Sequence, residues 1–233
     1  MNPEEKIIVA LDVDNLDRAK SLVTMLAPYV GCFKAGLELI TTAGAPQVVK
    51  FIHNLGGEIF FDGKFDDIPN TVGAASKAVA SLGVKMFNVH ASAGIEAMRA
   101  AVANKGKSAV LAVTVLTAID EKTCRHIFGD TPSAKVLQLA LDAREAGVDG
   151  IICSPQELAP LGGEKLLRGL AKITPGVRPV WASKNDQKRV MTPAEATRAG
   201  ATALVIGRPI TNPPPEIGTP VDAVKKILEE LSC

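Results

Sequence analysis

Eight short runs rich in valine, isoleucine and alanine recur along the chain with helical stretches between them, and this alternation restricts the fold more than any other feature. The runs occupy residues 7–12, 32–35, 58–62, 86–90, 109–114, 150–153, 170–174 and 203–206. Alternation of this kind is expected of a parallel sheet covered by helices. The intervening segments, such as residues 15–26, 45–55, 72–82 and 134–146, carry apolar side chains at spacings of three and four, the pattern of an amphipathic helix. Gly56, Gly83, Gly147 and Gly200 stand where such helices would end. A doubly wound open sheet would alternate in the same way, but it needs five or six strands. Eight predict a closed (β/α)8 barrel.

Nothing along the chain reads as an interior linker. A single domain over residues 1–233 is expected, with the prolines at 213–215 forming a stiff loop before a terminal helix. The 233 residues, 47% hydrophobic and 22% charged, are enough to bury a sizeable core. A formal charge of +1 supplies neither a basic stripe for nucleic acid nor a polybasic segment for a membrane surface, so a small-molecule partner fits best. The four cysteines, Cys32, Cys124, Cys153 and Cys233, are far apart and unclustered with His53, His90 or His126, which indicates neither a disulfide framework nor a metal site. The start Met-Asn-Pro-Glu-Glu-Lys is acidic where a signal peptide is basic, and no apolar run nears a membrane span. A cytoplasmic location is expected.

Most of the apolar runs finish on a polar group: Asp12, Lys34, Asp62 with Lys64, His90, Thr114, Ser154, Thr174 and Arg208. In a barrel these carboxyl ends meet on one face, where barrel enzymes carry their chemistry. In extended geometry Asp62 and Lys64, two apart, point to the same side, and Asp67 follows in the loop. With Lys34 at the end of the neighbouring strand, a Lys-Asp-Lys-Asp array is geometrically feasible. It could be a structural ion-pair network. It also suits a reaction that expels a substrate carboxylate and protonates the carbanion left behind. A fixed carboxylate 4 Å from a substrate carboxylate is repelled by about 4 kcal/mol at an effective dielectric near 20. Stabilisation of the developing carbanion by Lys64 is a further contribution.

Gly207-Arg208, after the eighth run, falls where barrels often bind phosphate, although Gly-Arg-Pro alone would also fit a turn. Residues 175–193 form a polar connection longer than usual, carrying Arg178, Asp186, Gln187, Lys188 and Arg189, and read as a lid. His90 reads as a hydrogen-bonded support rather than a catalyst, and Ser154 as a helix cap. Cys32 and Cys153 read as core thiols. For Trp181, loop packing and a place near a bound base both remain open.

The run Asp62-Gly-Lys64-Phe-Asp-Asp67-Ile-Pro-Asn-Thr71 resembles the signature D-x-K-x-x-D-I-P-N-T of orotidine 5'-monophosphate decarboxylases. In order along the chain, Val9-Ala-Leu-Asp12, Lys34-Ala-Gly36, Asn88-Val-His-Ala-Ser92, Val113-Thr-Val-Leu-Thr117, Thr174-Pro-Gly-Val-Arg178, Asp186-Gln187, Met191-Thr-Pro193 and Ile206-Gly-Arg208 extend the resemblance. It implies that Lys64 protonates C6 of the pyrimidine, that Asp62 faces the departing carboxylate, and that Lys34 and Asp67 complete the charged chain. It further implies an obligate homodimer in which Asp67 enters the partner's site. Asp12 would bind ribose, Thr117 the pyrimidine, Thr71 neighbouring substrate groups, and Arg178, Gln187, Gly207 and Arg208 the phosphate. No metal or organic cofactor is implied. Gly63, Asp66 and Ala118 depart from the family pattern, at positions between its signature residues or beside Thr117. Magnesium-dependent sugar-phosphate enzymes share D-x-K-x-x-D, but the Ile-Pro-Asn-Thr extension with Arg178 and Gln187 favours the nucleotide enzyme. A non-catalytic nucleotide-binding barrel is disfavoured by retention of every charged position.

Overall fold

In the computed structural model, which describes residues 2–182 and 191–232, eight parallel strands join in sequence order and the last pairs back to the first. They are β1 (Ile7–Ala10), β2 (Cys32–Ala35), β3 (Ile59–Phe65), β4 (Met86–His90), β5 (Ala109–Val113), β6 (Gly150–Ile152), β7 (Ala171–Thr174) and β8 (Ala203–Ile206). The expected (β/α)8 barrel is therefore present. Helices between the strands include Leu16–Leu26, Ala45–Asn54, Pro69–Ser81, Ile95–Ala103 and Pro132–Ala146, and Pro220–Ser232 closes the described chain.

Local chemistry sets these boundaries. The Asn15 side chain accepts the Arg18 N–H at the start of Leu16–Leu26, and that helix turns Ala19, Leu22, Val23 and Leu26 inward. Thr131 caps Pro132–Ala146, which begins on proline and ends at Gly147, where φ of +80° closes the last turn in a conformation costly for other residues.

Two apolar layers result. One fills the barrel with Ile8, Ala10, Cys32, Phe60, Leu111, Ile173, Ala203 and Val205. The larger lies between strands and helices and holds such side chains as Phe33, Ile52, Phe87, Met98 and Ile151, each sequestered from solvent. Full burial of one such side chain is worth roughly 1.5–3 kcal/mol, so this outer layer anchors the rigid frame on which the strand ends sit. Cys32, Cys124 and Cys153 are buried free thiols. No helix among the described residues is long and apolar enough to cross a membrane.

Several strand ends differ by one residue from the sequence expectation, and two differ by more. β1 stops at Ala10 rather than residue 12, although the Leu11 N–H still donates to Lys34 O. β3 runs past Asp62 to Phe65, and its register against β4 shifts between Phe61 and Phe65. Asp62 and Lys64 consequently do not belong to one regular extended stretch. Lys64 has φ of +49°, the left-handed region, the one non-glycine residue among those described with a positive φ.

Candidate active site

Register explains how the charges converge. Ala10, Lys34 and Phe60 are aligned across β1, β2 and β3, so Asp12 and Asp62 each lie two residues beyond the level of Lys34. The long lysine side chain rises between them. Its Nζ is 3.0 Å from Asp12 Oδ1 and 3.0 Å from Asp62 Oδ2. Lys64 Nζ takes the other oxygen, Asp62 Oδ1, at 2.7 Å. Gly36 lies close beside them: a Cβ there would come within 3.1 Å of Lys34 Nζ and 3.4 Å of Asp12 Oδ1, so the lysine tip would have to shift by a few tenths of an ångström.

Burial and charge compete at this network. Burial alone would lower the Lys34 pKa, but Asp62 and Asp12 outweigh it and hold the ammonium above its ordinary 10.5. Burial would likewise raise Asp62, yet Lys34 and Lys64, with hydrogen bonds from Lys64 and Asn88, hold its carboxyl below the usual 3.8. Asp62 therefore presents a fixed negative charge flanked by two cations.

The network borders a cavity of about 300 Å³ at the carboxyl ends of the strands. Asp12, Lys34, Asp62 and Lys64 share its lining with Thr117, Arg178, Gly207 and Arg208, while Val113, Val115, Ile152 and Val205 supply apolar surface. Arg178 is itself buried, its backbone N–H bonded to Met191 O. At Gly207 a Cβ would stand 3.4 Å from Ala10 Cβ and 3.6 Å from Asp12 Oδ2, which places this backbone beside Asp12 at the cavity edge. Such a space, polar at fixed points and apolar between them, suits a small anionic ligand.

Other sequence candidates fall elsewhere. Asp67 is exposed, accepts a hydrogen bond from its own Ile68 N–H at 2.7 Å, and is absent from the cavity lining. The intramolecular array is thus Asp12-Lys34-Asp62-Lys64, with Asp12 rather than Asp67 as the second carboxylate. Thr71 is exposed in the first turn of the helix Pro69–Ser81, outside the cavity. Gln187, with Asp186, Lys188 and Arg189, lies outside the described residues. Ser154 accepts the Gln156 N–H at 3.4 Å and caps a short turn. Trp181 packs against the outer core and is not in the lining of the central cavity. Cys153 does line the cavity, but burial pushes its thiol up to about 12, unlike a thiolate nucleophile.

Sequence reasoning assigned no role to Asn88, which is fully buried on β4 and donates from Nδ2 to Asp62 Oδ1 at 2.7 Å. The available signal was a carboxamide inside an otherwise apolar strand, where burial demands partners. His90, two residues on, is half-buried. Burial lowers its pKa below 6.5 and Lys64 adds to that, against Asp66 and Asp62.

A family model described as orotidine 5'-phosphate decarboxylase / HUMPS family matches residues 5–227. Relatives named orotidine 5'-phosphate decarboxylase include one from Geotalea uraniireducens, 46% identical over 97% of this chain and 95% of its own. Another, from Moorella thermoacetica, is 45% identical over 99% of this chain and 94% of its own. Among solved structures, the orotidine 5'-phosphate decarboxylase of Lactobacillus acidophilus superposes with a TM-score of 0.83 at 34% identity, covering 97% of this chain and 99% of that one. With the matched segment spanning every strand of the barrel, the chain belongs to the orotidine 5'-phosphate decarboxylase / HUMPS family.

Proposed function

We propose that the chain decarboxylates orotidine 5'-monophosphate to uridine 5'-monophosphate and carbon dioxide, the last step of de novo pyrimidine synthesis, without metal or organic cofactor. The observation that carries this reading is Lys64 Nζ, held 2.7 Å from the buried Asp62 carboxylate in a cavity that also bears Arg178 and Arg208. The names of the full-length relatives support it.

The two guanidiniums and the Gly207 backbone bind the 5'-phosphate, and Gln187 joins them. Asp12 takes the ribose, Thr117 the pyrimidine, and Thr71 neighbouring substrate groups. This grip sets the substrate carboxylate against Asp62. When the bond from C6 to the carboxylate carbon breaks, its electron pair stays on C6 and carbon dioxide leaves, which removes the repulsion from Asp62. Lys64 stabilises the carbanion, then transfers a proton from Nζ to C6. Lys34 fixes Asp62 between two cations so that neither catalytic side chain drifts. Asp67 acts in the site of a partner subunit, making the working unit a homodimer, and the location is cytoplasmic.

The deciding experiment follows the ultraviolet change of orotidine monophosphate with purified protein and excess chelator. Undiminished turnover is expected. Turnover abolished by the chelator and restored by magnesium would overturn the cofactor-free reading.

A further inference from the structure

Between Phe61 and Phe65 the chain of β3 advances four residues while its partners on β4, Phe87 and Val89, advance two. Asp62, Gly63 and Lys64 therefore face the single residue Asn88, and the regular ladder is interrupted there. The Asn88 side chain occupies the interruption. Its Nδ2 donates to Asp62 Oδ1 at 2.7 Å and its Oδ1 accepts the Lys64 backbone N–H at 2.7 Å. Only this orientation of the carboxamide works, because a backbone N–H can only donate and an ionised carboxylate can only accept.

We infer that Asn88 is a positioning residue for the reaction: one buried carboxamide ties the acid-bearing backbone of Lys64 to the carboxylate of Asp62 and holds the two in catalytic register. Lys64 occupies the left-handed region without the freedom of glycine, and such a conformation persists where surrounding contacts over-determine it. Asn88 provides one such contact directly. It also removes one lone pair of Asp62 Oδ1 from competition, directing the Lys64 ammonium to a defined place on the same oxygen. An apolar residue could fill the space but make neither bond. Aspartate would keep the acceptor toward Lys64 and set a second carboxylate against Asp62.

The inference rests on the decarboxylase reading, so wild-type turnover of orotidine monophosphate is measured alongside. Asn88→Ala is expected to lower kcat roughly ten- to a hundredfold, the effect of losing hydrogen bonds involving a charged group, while KM stays within about threefold because the phosphate grip is untouched. Asn88→Asp gives a readout that packing alone would not move. At low pH the introduced carboxyl is protonated, its O–H donates to Asp62, and its carbonyl accepts the Lys64 N–H, reproducing both bonds. The groups surrounding it are Asp62 and Lys64 on β3, Lys34 on β2, and beyond them Asp12, Asp66 and His90. Two carboxyls sharing a site hold one proton to higher pH than either would alone. The ratio of Asn88→Asp to wild-type kcat is therefore expected to rise as pH falls. If Asn88→Ala does not fold, as circular dichroism would reveal, the Asn88→Asp profile still decides. A loss confined to KM, or a kcat ratio flat with pH, overturns the inference. Absence of turnover by the wild-type protein overturns the decarboxylase reading instead.

Discussion

Lys34 Nζ stands 3.0 Å from Asp62 Oδ2, with the two side chains only 12% and 8% exposed. At that burial each charge depends on its partner, because removing one leaves the other desolvated. The dependence is unequal. Asp62 also receives Lys64, whereas both lysines converge on Asp62. Lys34→Met is expected to cost about 2–3 kcal/mol, less than complete loss of a buried pair because Lys64 still neutralises Asp62. Asp62→Ala is expected to cost more, since it leaves two ammonium groups with only Asp12. Urea unfolding of the two variants gives the order directly, and the reverse order would show that the network is not organised around Asp62.

The same pair fixes a pH window. Asp62 is held below 3.8, so its stabilisation is complete above that unfolded value and is lost as pH falls through the folded one. Lys34 is held above 10.5, so its contribution is complete below 10.5 and is lost as pH rises through the folded value. The stability difference between wild type and Asp62→Ala is expected to be flat between these limits and to shrink outside them. A difference that varies strongly near neutrality would contradict it.

His90 adds a slope of opposite origin. Its folded pKa lies below 6.5, so the unfolded chain binds its proton more readily and native stability falls as pH drops below 6.5. His90→Asn is expected to flatten that part of the stability curve while leaving the acid limb due to Asp62. Unfolding midpoints compared across this range test it, and a slope unchanged in the variant would assign it to other groups.

How much of this was legible depended on whether local chemistry or distant contacts governed each residue. Strand positions such as 32–35, 86–90 and 203–206 emerged from the apolar pattern because both faces of a parallel strand are buried. The meeting of Asp62 and Lys64 was legible too, but not its geometry. Residue 64 is a lysine, which carries no turn signal, and contacts from β4 accompany its left-handed backbone. Asn88 was visible only as part of a family-like segment, with no role assigned, because a polar residue inside an apolar strand does not declare its partners. Asp12 was visible as a strand-end acid, but its hold on Lys34 follows from the register of β1 on β2.

Arg208 and Arg178 border the same cavity as Lys64, whose partner Asp62 is held by Lys34, Lys64 and Asn88. Arg208→Ala is expected to lower kcat/KM roughly ten- to 150-fold, the worth of one charge-assisted contact to a phosphate dianion. Inhibition by inorganic phosphate should weaken in parallel. A variant that loses kcat/KM yet keeps wild-type phosphate inhibition would place the phosphate elsewhere.

Asp67 gives the sharpest test of assembly. It lies three residues beyond Lys64, yet its carboxylate turns to the Ile68 N–H and borders no part of the cavity in its own chain. Beside it Ile68 is 66% exposed. If Asp67 serves a partner's site, Lys64→Ala and Asp67→Ala should each be nearly inactive alone. Mixed in equal amounts and allowed to exchange, they should form hybrids in which one site unites the intact Lys64 with the intact Asp67 while the other lacks both. Random pairing puts about half of the dimers in hybrid form with one good site of two, so activity should recover to about a quarter of wild type. Recovery must also follow the rate of subunit exchange. Exchange without recovery would assign Asp67 to its own chain's site, reached through a loop rearrangement, and would remove the shared-site arrangement.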